Sequence, residues 1–498
     1  MEKSDPIARF LDLAAQGPHR PAVDLGETVV TYNELETRAR RLAACFAQVT
    51  EPRVLIALPQ GPDAYAAMIG AILSGGYYIP INAAAPTKKR NQVVELIRPN
   101  VIVADAQSAG EFAKTIPAAR LVDPTRLASD EALQGRGRRN STAYVMMTSG
   151  STGRPKGVVI STTALAHYLD WLSSSAILRA DDRVSQFVNM SFDVSIIGIF
   201  GALSAGATIV PAMTAGDRLF PASFARRSGV SVWVSVPSAI GLAMKSGQTT
   251  AEFLGSIRLF MFCGEALRQA HLASIFQARP DAVAMNLYGP TEATVSMTSA
   301  VLNAENYLEA CADSVSLGKS IPGMGLHLIG GAHPDEGEIV ITGPQLATEY
   351  WLDPERTAKA FRPVLIGGQT VRGYFTGDLG ERRQPHLFFK GRIDNQMKIN
   401  GYRIEAGEII ARLADLGWPI ACVLKHREAL TAVVETIHGK RLDPAALRAR
   451  LFDELEAHAV PTYILPIERM PRNSNDKLDE QAVRAWLDEQ SDLNGVTN

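Results

Sequence analysis

Cysteine is scarce, with four in 498 residues, and Cys45, Cys263, Cys311 and Cys422 each stand alone in the chain. That excludes a disulfide scaffold and a zinc site of closely spaced ligands, and it fits a reducing, cytoplasmic compartment. An excess of either charge is also missing. Lys plus Arg number 50 against 52 Asp plus Glu, a formal net charge of -2, so no basic field draws nucleic acid, which is not an expected partner. The opening MEKSDPIARF breaks its apolar residues with charges and lacks the hydrophobic region of a signal peptide. Long apolar runs are interrupted too. Val194 to Gly216 carries no charge, but Gly198, Gly201, Ser204, Gly206, Thr208, Pro211 and Thr214 break it. It reads as a buried helix, a stop at Gly206 and a buried strand, not as a transmembrane segment.

What the chain does contain is an alternation of strand and helix signals. Thr31 and Glu34 have the spacing of a capping box, and Leu35, Ala39, Leu42 and Phe46 then recur on one helical face. Short apolar runs at 54–58, 77–82 and 101–105 are separated by helical stretches, the rhythm of an α/β fold whose parallel sheet is covered on both faces. Near residue 394 the texture turns polar and basic, in KGRIDNQMKINGYRIE, and a compact α+β pattern follows. In it a helix is expected from about Glu405 to Leu416, strands at 420–424 and 430–437, and a helix with Asp443 as N-cap and Pro444 in its first position.

The most informative stretch is TSGSTGRPKG at 148–157, with three glycines, four hydroxyl residues and two cations. By composition it is either a surface turn or a loop whose N–H groups, hydroxyls and charges wrap a polyphosphate. It is not a Walker A motif, since Lys156 lacks the G-x-x-x-x-G lead-in; GKS at 318–320 fails likewise, with Asp313 where the first Gly belongs. The segment resembles the phosphate loop of the acyl-adenylate-forming superfamily, which includes acyl-CoA synthetases, luciferases and amino-acid adenylation domains. Further motifs of that family follow in order: TYNEL at 31–35 before the loop, then YGPTEAT at 288–294, YFTGDLG at 374–380, GRIDNQMKINGYRIE at 391–405 and NSNDKLD at 473–479. The resemblance implies a large N-terminal α/β adenylation core of layered sheets and helices, residues 1–393, and a small mobile α+β C-terminal domain, 394–498. It also implies ATP and Mg2+.

Activating a carboxylate with ATP needs a carboxylate oxygen to attack the α-phosphorus while pyrophosphate leaves, so catalysis is mostly positioning and cancellation of phosphate charge. The resemblance assigns Thr148, Ser149, Gly150, Ser151, Thr152, Gly153 and Lys156 to the phosphates. Tyr288 offers a face for adenine, Asp378 accepts from the ribose hydroxyls, and Arg392 supports that grip. Gly264, Glu265, Asn286, Gly289 and Thr291 complete the nucleotide site. Glu292 suits Mg2+, which takes one or two carboxylates together with phosphate oxygens. Lys477, in N-x-K-x-D, corresponds to the lysine that bridges the reacting carboxylate and the α-phosphate; Asp476 stands where the family commonly has Gly. Lys477, Lys156, Thr291 and Glu292 form the expected catalytic set, and Asp394 and Lys398 the expected hinge.

Substrate class turns on SFDVS at 191–195. Asp193 there is either the N-cap of the helix that follows or a carboxylate awaiting a cation. In amino-acid adenylation domains this aspartate binds the substrate's α-ammonium, whereas fatty acyl-CoA synthetases have no such need. The pocket positions of that family fall on Val194, Ile197, Val234 and Met261, then on Cys263, Leu287, Val295 and Ser296, with Gly289 beside them. This lining is apolar and uncharged, suited to a small or medium aliphatic side chain. SVWVSVPS, FMFCGEAL and NLYGPTEATV look most like D-alanine–carrier protein ligases, although Leu287 and Ser296 depart from that pattern. After the last helix only SDLNGVTN remains, so the acceptor thiol is expected on the phosphopantetheine of a separate carrier protein. The favoured reading is a stand-alone ligase for a small amino acid, D-alanine first. L-proline or another small L-amino acid in nonribosomal biosynthesis, an acyl- or aryl-CoA synthetase, and a non-catalytic nucleotide-binding homologue are the alternatives.

Overall fold

The computed structural model describes residues 5–127, 132–135, 137, 140–148, 155–174, 177–393, 396–399, 401–436, 442–472 and 478–493, without the side chains of 396 and 491–493. The chain divides into two compact units, one built from 1–83, 94–147 and 157–393, the other from 84–93, 148–156 and 394–498. The larger unit carries three sheets. A seven-stranded sheet runs in the order Glu349–Tyr350, Lys156–Ser161, Thr142–Thr148, Tyr77–Pro80, Arg53–Ala57, Val101–Ala104 and Arg120–Val122. A nine-stranded sheet has Val283–Tyr288, Leu259–Cys263, Val232–Ser235, Arg183–Gln186 and Thr208–Pro211 as consecutive inner strands. Those five are mutually parallel, as continuous apolar strands between helices require.

Local signals operate as expected. Thr31 accepts from the Glu34 N–H at 3.2 Å and Glu34 from the Thr31 N–H at 2.7 Å, closing the capping box that starts helix Tyr32–Phe46. Its buried face is Tyr32, Leu35, Ala39, Leu42, Ala43 and Phe46. The uncharged stretch after Asp193 is a buried helix that ends at Gly206, whose φ of 81° is the left-handed conformation glycine adopts at no steric cost, and strand Thr208–Pro211 follows. Among the described residues no helix is long and apolar enough to cross a membrane. One feature had no signal: Ile197–Gly201, inside that helix, is a π segment, a conformation that recurs at functional sites.

The third sheet is antiparallel, with strands Gly325–Gly330, Glu336–Thr342, Gln369–Arg383, Phe361–Ile366 and His386–Arg392. It extends the βα rhythm of the sequence with hairpins and places Asp378 opposite Arg392. The smaller unit contains helix Ala406–Asp415, strands Ala421–His426, Ala429–Glu435 and Tyr463–Ile467 in one sheet, and helices Pro444–Phe452 and Glu480–Leu493. Asp443 accepts from the Ala446 N–H at 3.0 Å, so it is the N-cap that its place before Pro444 indicates.

Candidate functional site

The parallel register aligns Val234 with Met261, Met261 with Met285, and Cys263 with Leu287. Because side chains alternate across a sheet, these residues share one face. They join the large core cluster with Val194, Ile197 and Val295, while Trp233, Phe260, Phe262 and Ala284 pack into a separate cluster on the other face. The predicted pocket positions of three strands and a helix are therefore brought together near the carboxyl ends of parallel strands, where open α/β sheets place ligands. Asp193, which precedes Val194 in the chain, is partly exposed. Its charge, after the larger effect of burial, helps hold the hydroxyls of Tyr144 and Tyr168 in their protonated form.

Residues 294–296, which include two of the expected pocket positions, form an unusual turn. Thr294 and Val295 both have positive φ, 56° and 71°, and the Ser296 N–H donates to the Thr294 carbonyl at 2.9 Å, closing a three-residue γ-turn. A β-branched residue at such a φ is strained by about 1–3 kcal/mol. The chain then doubles back on Gly289, where a Cβ would stand 2.6 Å from the Ser296 Cα; this close approach is why position 289 is glycine. The Cys263 thiol lies 3.7 Å from the Val295 carbonyl, and the Tyr168 and Ser296 hydroxyls are 3.0 Å apart. Ser296, one of the expected lining positions, thus has its hydroxyl paired with that of Tyr168.

Beyond Leu287 the same strand ends at Tyr288, whose hydroxyl donates to Asp378 at 2.7 Å. Arg392 pairs with the other oxygen of Asp378 and donates to the Thr376 carbonyl at 3.1 Å. The Asp378 N–H donates to the Thr376 hydroxyl at 2.9 Å, and Thr376 donates to the Ile339 carbonyl at 2.7 Å. Burial, with the charge of Asp378 second, pushes the Tyr288 hydroxyl far above its usual range, so it remains a donor at any working pH. The three residues assigned separately to adenine and ribose are thus one hydrogen-bonded group, 7% exposed at Tyr288 and 3% at Asp378. Thr376, inside YFTGDLG, was not assigned a role, yet it orients Asp378.

Glu292 sits in the short helix Thr291–Ala293, fully buried, and accepts from the Tyr350 hydroxyl at 2.8 Å. One buried oxygen-donor carboxylate matches the protein share of a Mg2+ site completed by phosphate oxygens and water. Among the described residues no group of three or more His, Cys, Asp or Glu could hold a metal ion by itself. Thr148 ends one strand and Lys156 opens the neighbouring one; Ser149, Gly150, Ser151, Thr152 and Gly153 lie outside the described residues, as do Asp394, Asp476 and Lys477. Lys398 lies on strand Gln396–Ile399. Two residues assigned to the nucleotide also have protein partners. Asn286 donates to the Val315 and Ser316 carbonyls at 3.3 and 2.9 Å, and Glu265, just after Gly264, accepts from the Ser238 N–H at 2.8 Å. A separate cavity of about 350 Å³, lined by Ile329, Glu336, Glu338, Leu379 and Lys390 among others, includes none of the expected site residues.

Known proteins resemble the chain along nearly its whole length. The D-alanine--D-alanyl carrier protein ligase of Listeria monocytogenes serotype 4a (strain HCC23) is 28% identical, covering 96% of this chain and 98% of the relative. That of Bacillus velezensis is 28% identical over 97% and 99%. The Vibrio cholerae adenylation domain AlmE, solved in complex with glycyl-adenosine-5'-phosphate, superposes with a TM-score of 0.84 at 26% identity, covering 98% of each chain. The amide bond synthetase McbA from Marinactinospora thermotolerans shares the fold, with a TM-score of 0.82 at 21% identity. The family description "AMP-binding enzyme" matches residues 10–351, a span that contains the strand ends, the strained turn and Glu292, and the chain belongs to that family.

Proposed function

We propose that this protein is a stand-alone, ATP-dependent, AMP-forming ligase that activates a small amino acid, D-alanine first, and passes it to the phosphopantetheine thiol of a separate carrier protein. The observation that carries the reading is that Val234, Met261, Cys263 and Leu287 lie on one face of the parallel sheet and share its core cluster with Val194 and Val295, Val194 following Asp193 in the chain. A carboxylate suits an α-ammonium group. The apolar residues, with the Ser296–Tyr168 hydroxyl pair beside Val295, suit a small side chain.

In the first half-reaction an oxygen of the amino acid's carboxylate attacks the α-phosphorus and the bond to pyrophosphate breaks, leaving aminoacyl-AMP. In the second the carrier's thiol loses its proton, sulfur attacks the acyl carbon, and AMP leaves. Asp378, held by Tyr288 and Arg392, is placed to accept from ribose, and the Tyr288 ring to face the adenine. Thr148, Lys156 and the loop between them serve the phosphates, with Thr291 adjacent to Glu292. Glu292 would hold Mg2+, which when bound offsets the charge of the departing pyrophosphate. Lys477 serves the transition state, and the domain 394–498 turns about Asp394 and Lys398 between the half-reactions. Four single thiols, among them buried Cys263 and Cys422, suit a cytoplasmic setting. The test is amino-acid-dependent ATP–pyrophosphate exchange, followed by transfer to a phosphopantetheinylated carrier. Exchange with D-alanine that is lost in Asp193→Ala supports the reading; exchange only with acids lacking an amino group overturns it.

A further inference from the structure

The strained turn Thr294–Ser296 does not hold itself. The Thr294 hydroxyl donates to the Gln345 carbonyl at 2.7 Å, and the Gln345 side-chain amide reaches back to the Ser296 carbonyl at 3.4 Å. Tyr168 holds the Ser296 hydroxyl from the other side at 3.0 Å. Gln345, Tyr168 and Ser296 are all fully buried, and the Gln345 side-chain oxygen has no hydrogen-bond partner. Burying an amide with one end unpaired is unfavourable, so Gln345 is poorly explained by packing alone. The same segment donates the Ala347 N–H to the Glu292 carbonyl at 2.8 Å, and Arg372 fixes it by donating to the Ala347 and Thr348 carbonyls at 2.8 and 2.7 Å.

We propose that Gln345 is a positioning residue for amino-acid selectivity: with Tyr168 as the opposite anchor, it holds the γ-turn in its left-handed form and so fixes how far Val295 and Ser296 project into the pocket. The inference rests on the reading that these two residues face the substrate side chain. Without the clamp the turn relaxes toward negative φ, the wall recedes, and a side chain one methylene longer is accepted. Val295→Gly supplies the internal control, because glycine takes positive φ without strain and leaves the clamp nothing to restrain.

The test uses the full chain with Gln345→Met, which keeps a similar volume, removes the unpaired oxygen and the amide donor to Ser296, and leaves the Thr294 bond to the backbone carbonyl of residue 345 in place. Exchange rates give kcat/KM for the best amino-acid substrate and for its homologue one methylene longer, together with the KM for ATP and the thermal midpoint. The expected result is a selectivity ratio at least fivefold lower, carried by the amino-acid KM values, with the ATP KM within twofold and the thermal midpoint nearly unmoved. In the Val295→Gly background the same substitution is expected to change the ratio less than twofold, and Tyr168→Phe to shift it in the same direction as Gln345→Met. An unchanged ratio in folded Gln345→Met overturns the proposal, as does an equal loss in both backgrounds. If the wild-type chain shows no exchange with any amino acid, the amino-acid reading falls and this inference with it, an outcome separate from selectivity that fails to move.

Discussion

Tyr288→Phe separates the two tasks that converge on that residue. The substitution keeps the ring and its volume, so no cavity forms, and it removes only the hydroxyl that donates to Asp378 at 2.7 Å. Arg392 remains on the other carboxylate oxygen, so Asp378 is not left as an uncompensated buried charge, a loss of about 3–5 kcal/mol. The expected cost is that of one hydrogen bond to a charged acceptor, about 1.5–3 kcal/mol of stability. Arg392→Met takes the stronger partner and should cost more than Tyr288→Phe. Chemical denaturation gives the stabilities, and the KM for ATP in exchange gives the site. With ring and carboxylate both in place, Tyr288→Phe should alter the ATP KM by less than about threefold, whereas Tyr288→Leu, which removes the aromatic face, should raise it about tenfold or more, the equivalent of 1.4 kcal/mol. If Tyr288→Phe unfolds at the wild-type midpoint and yet raises the ATP KM as much as Tyr288→Leu, the hydroxyl serves the nucleotide directly and the bonded group is not the basis of the ribose grip.

Tyr32, Tyr65, Tyr78, Tyr144, Tyr168 and Tyr288 are held protonated by burial far above the usual tyrosine range. Their stabilisation is complete below pH 10 and declines as the unfolded chain ionises above it. At pH 11 each has lost about 1.4 kcal/mol, about 8 kcal/mol together, comparable to a whole domain's stability. Tyrosinate absorbance should therefore appear together with loss of circular dichroism, not before it. In the smaller unit His458 stacks on Tyr402 with ring centroids 3.8 Å apart, and burial, with Lys89 second, lowers its pKa to about 3. The unfolded chain takes up that proton below pH 6.5, so stability there should fall by about 2 kcal/mol between pH 7 and 5; His458→Phe should flatten the acid limb of a pH-dependent unfolding series. Burial pushes the Cys422 thiol up to about 12, so alkylation of the folded protein should label Cys45 well before Cys422, checked by peptide mass mapping.

Much of the scaffold was legible because its signals are local. The Thr31 capping box, the glycine stop at 206 and the Asp443–Pro444 helix start involve neighbours a few residues apart, and the structure forms each where the spacing places it. The expected pocket positions Met261, Cys263 and Leu287 came from the family resemblance, and strand alternation puts them on one face of the sheet. The γ-turn was not, because left-handed φ falls on threonine and valine, which advertise nothing of the kind. Nor were its anchors: Tyr168 and Gln345 meet Ser296 across 128 and 49 residues of sequence. The linkage of Tyr288, Asp378 and Arg392 was hidden for the same reason, although all three residues had been singled out individually. The hairpin that brings Asp378 opposite Arg392 is local, but Tyr288 reaches Asp378 across 90 residues of sequence.

The central claim is that an amino acid's carboxylate is activated on this site with Asp193 holding its ammonium group. It is tested most directly by ATP–pyrophosphate exchange across D-Ala, L-Ala, Gly, L-Ser, L-Pro, L-Val and a set of fatty and aryl acids, in the wild type and in Asp193→Ala and Lys477→Ala. The account predicts exchange with one small amino acid, strongest with D-alanine and lost in both variants. Exchange confined to acids without an α-amino group, and indifferent to Asp193→Ala, would contradict it.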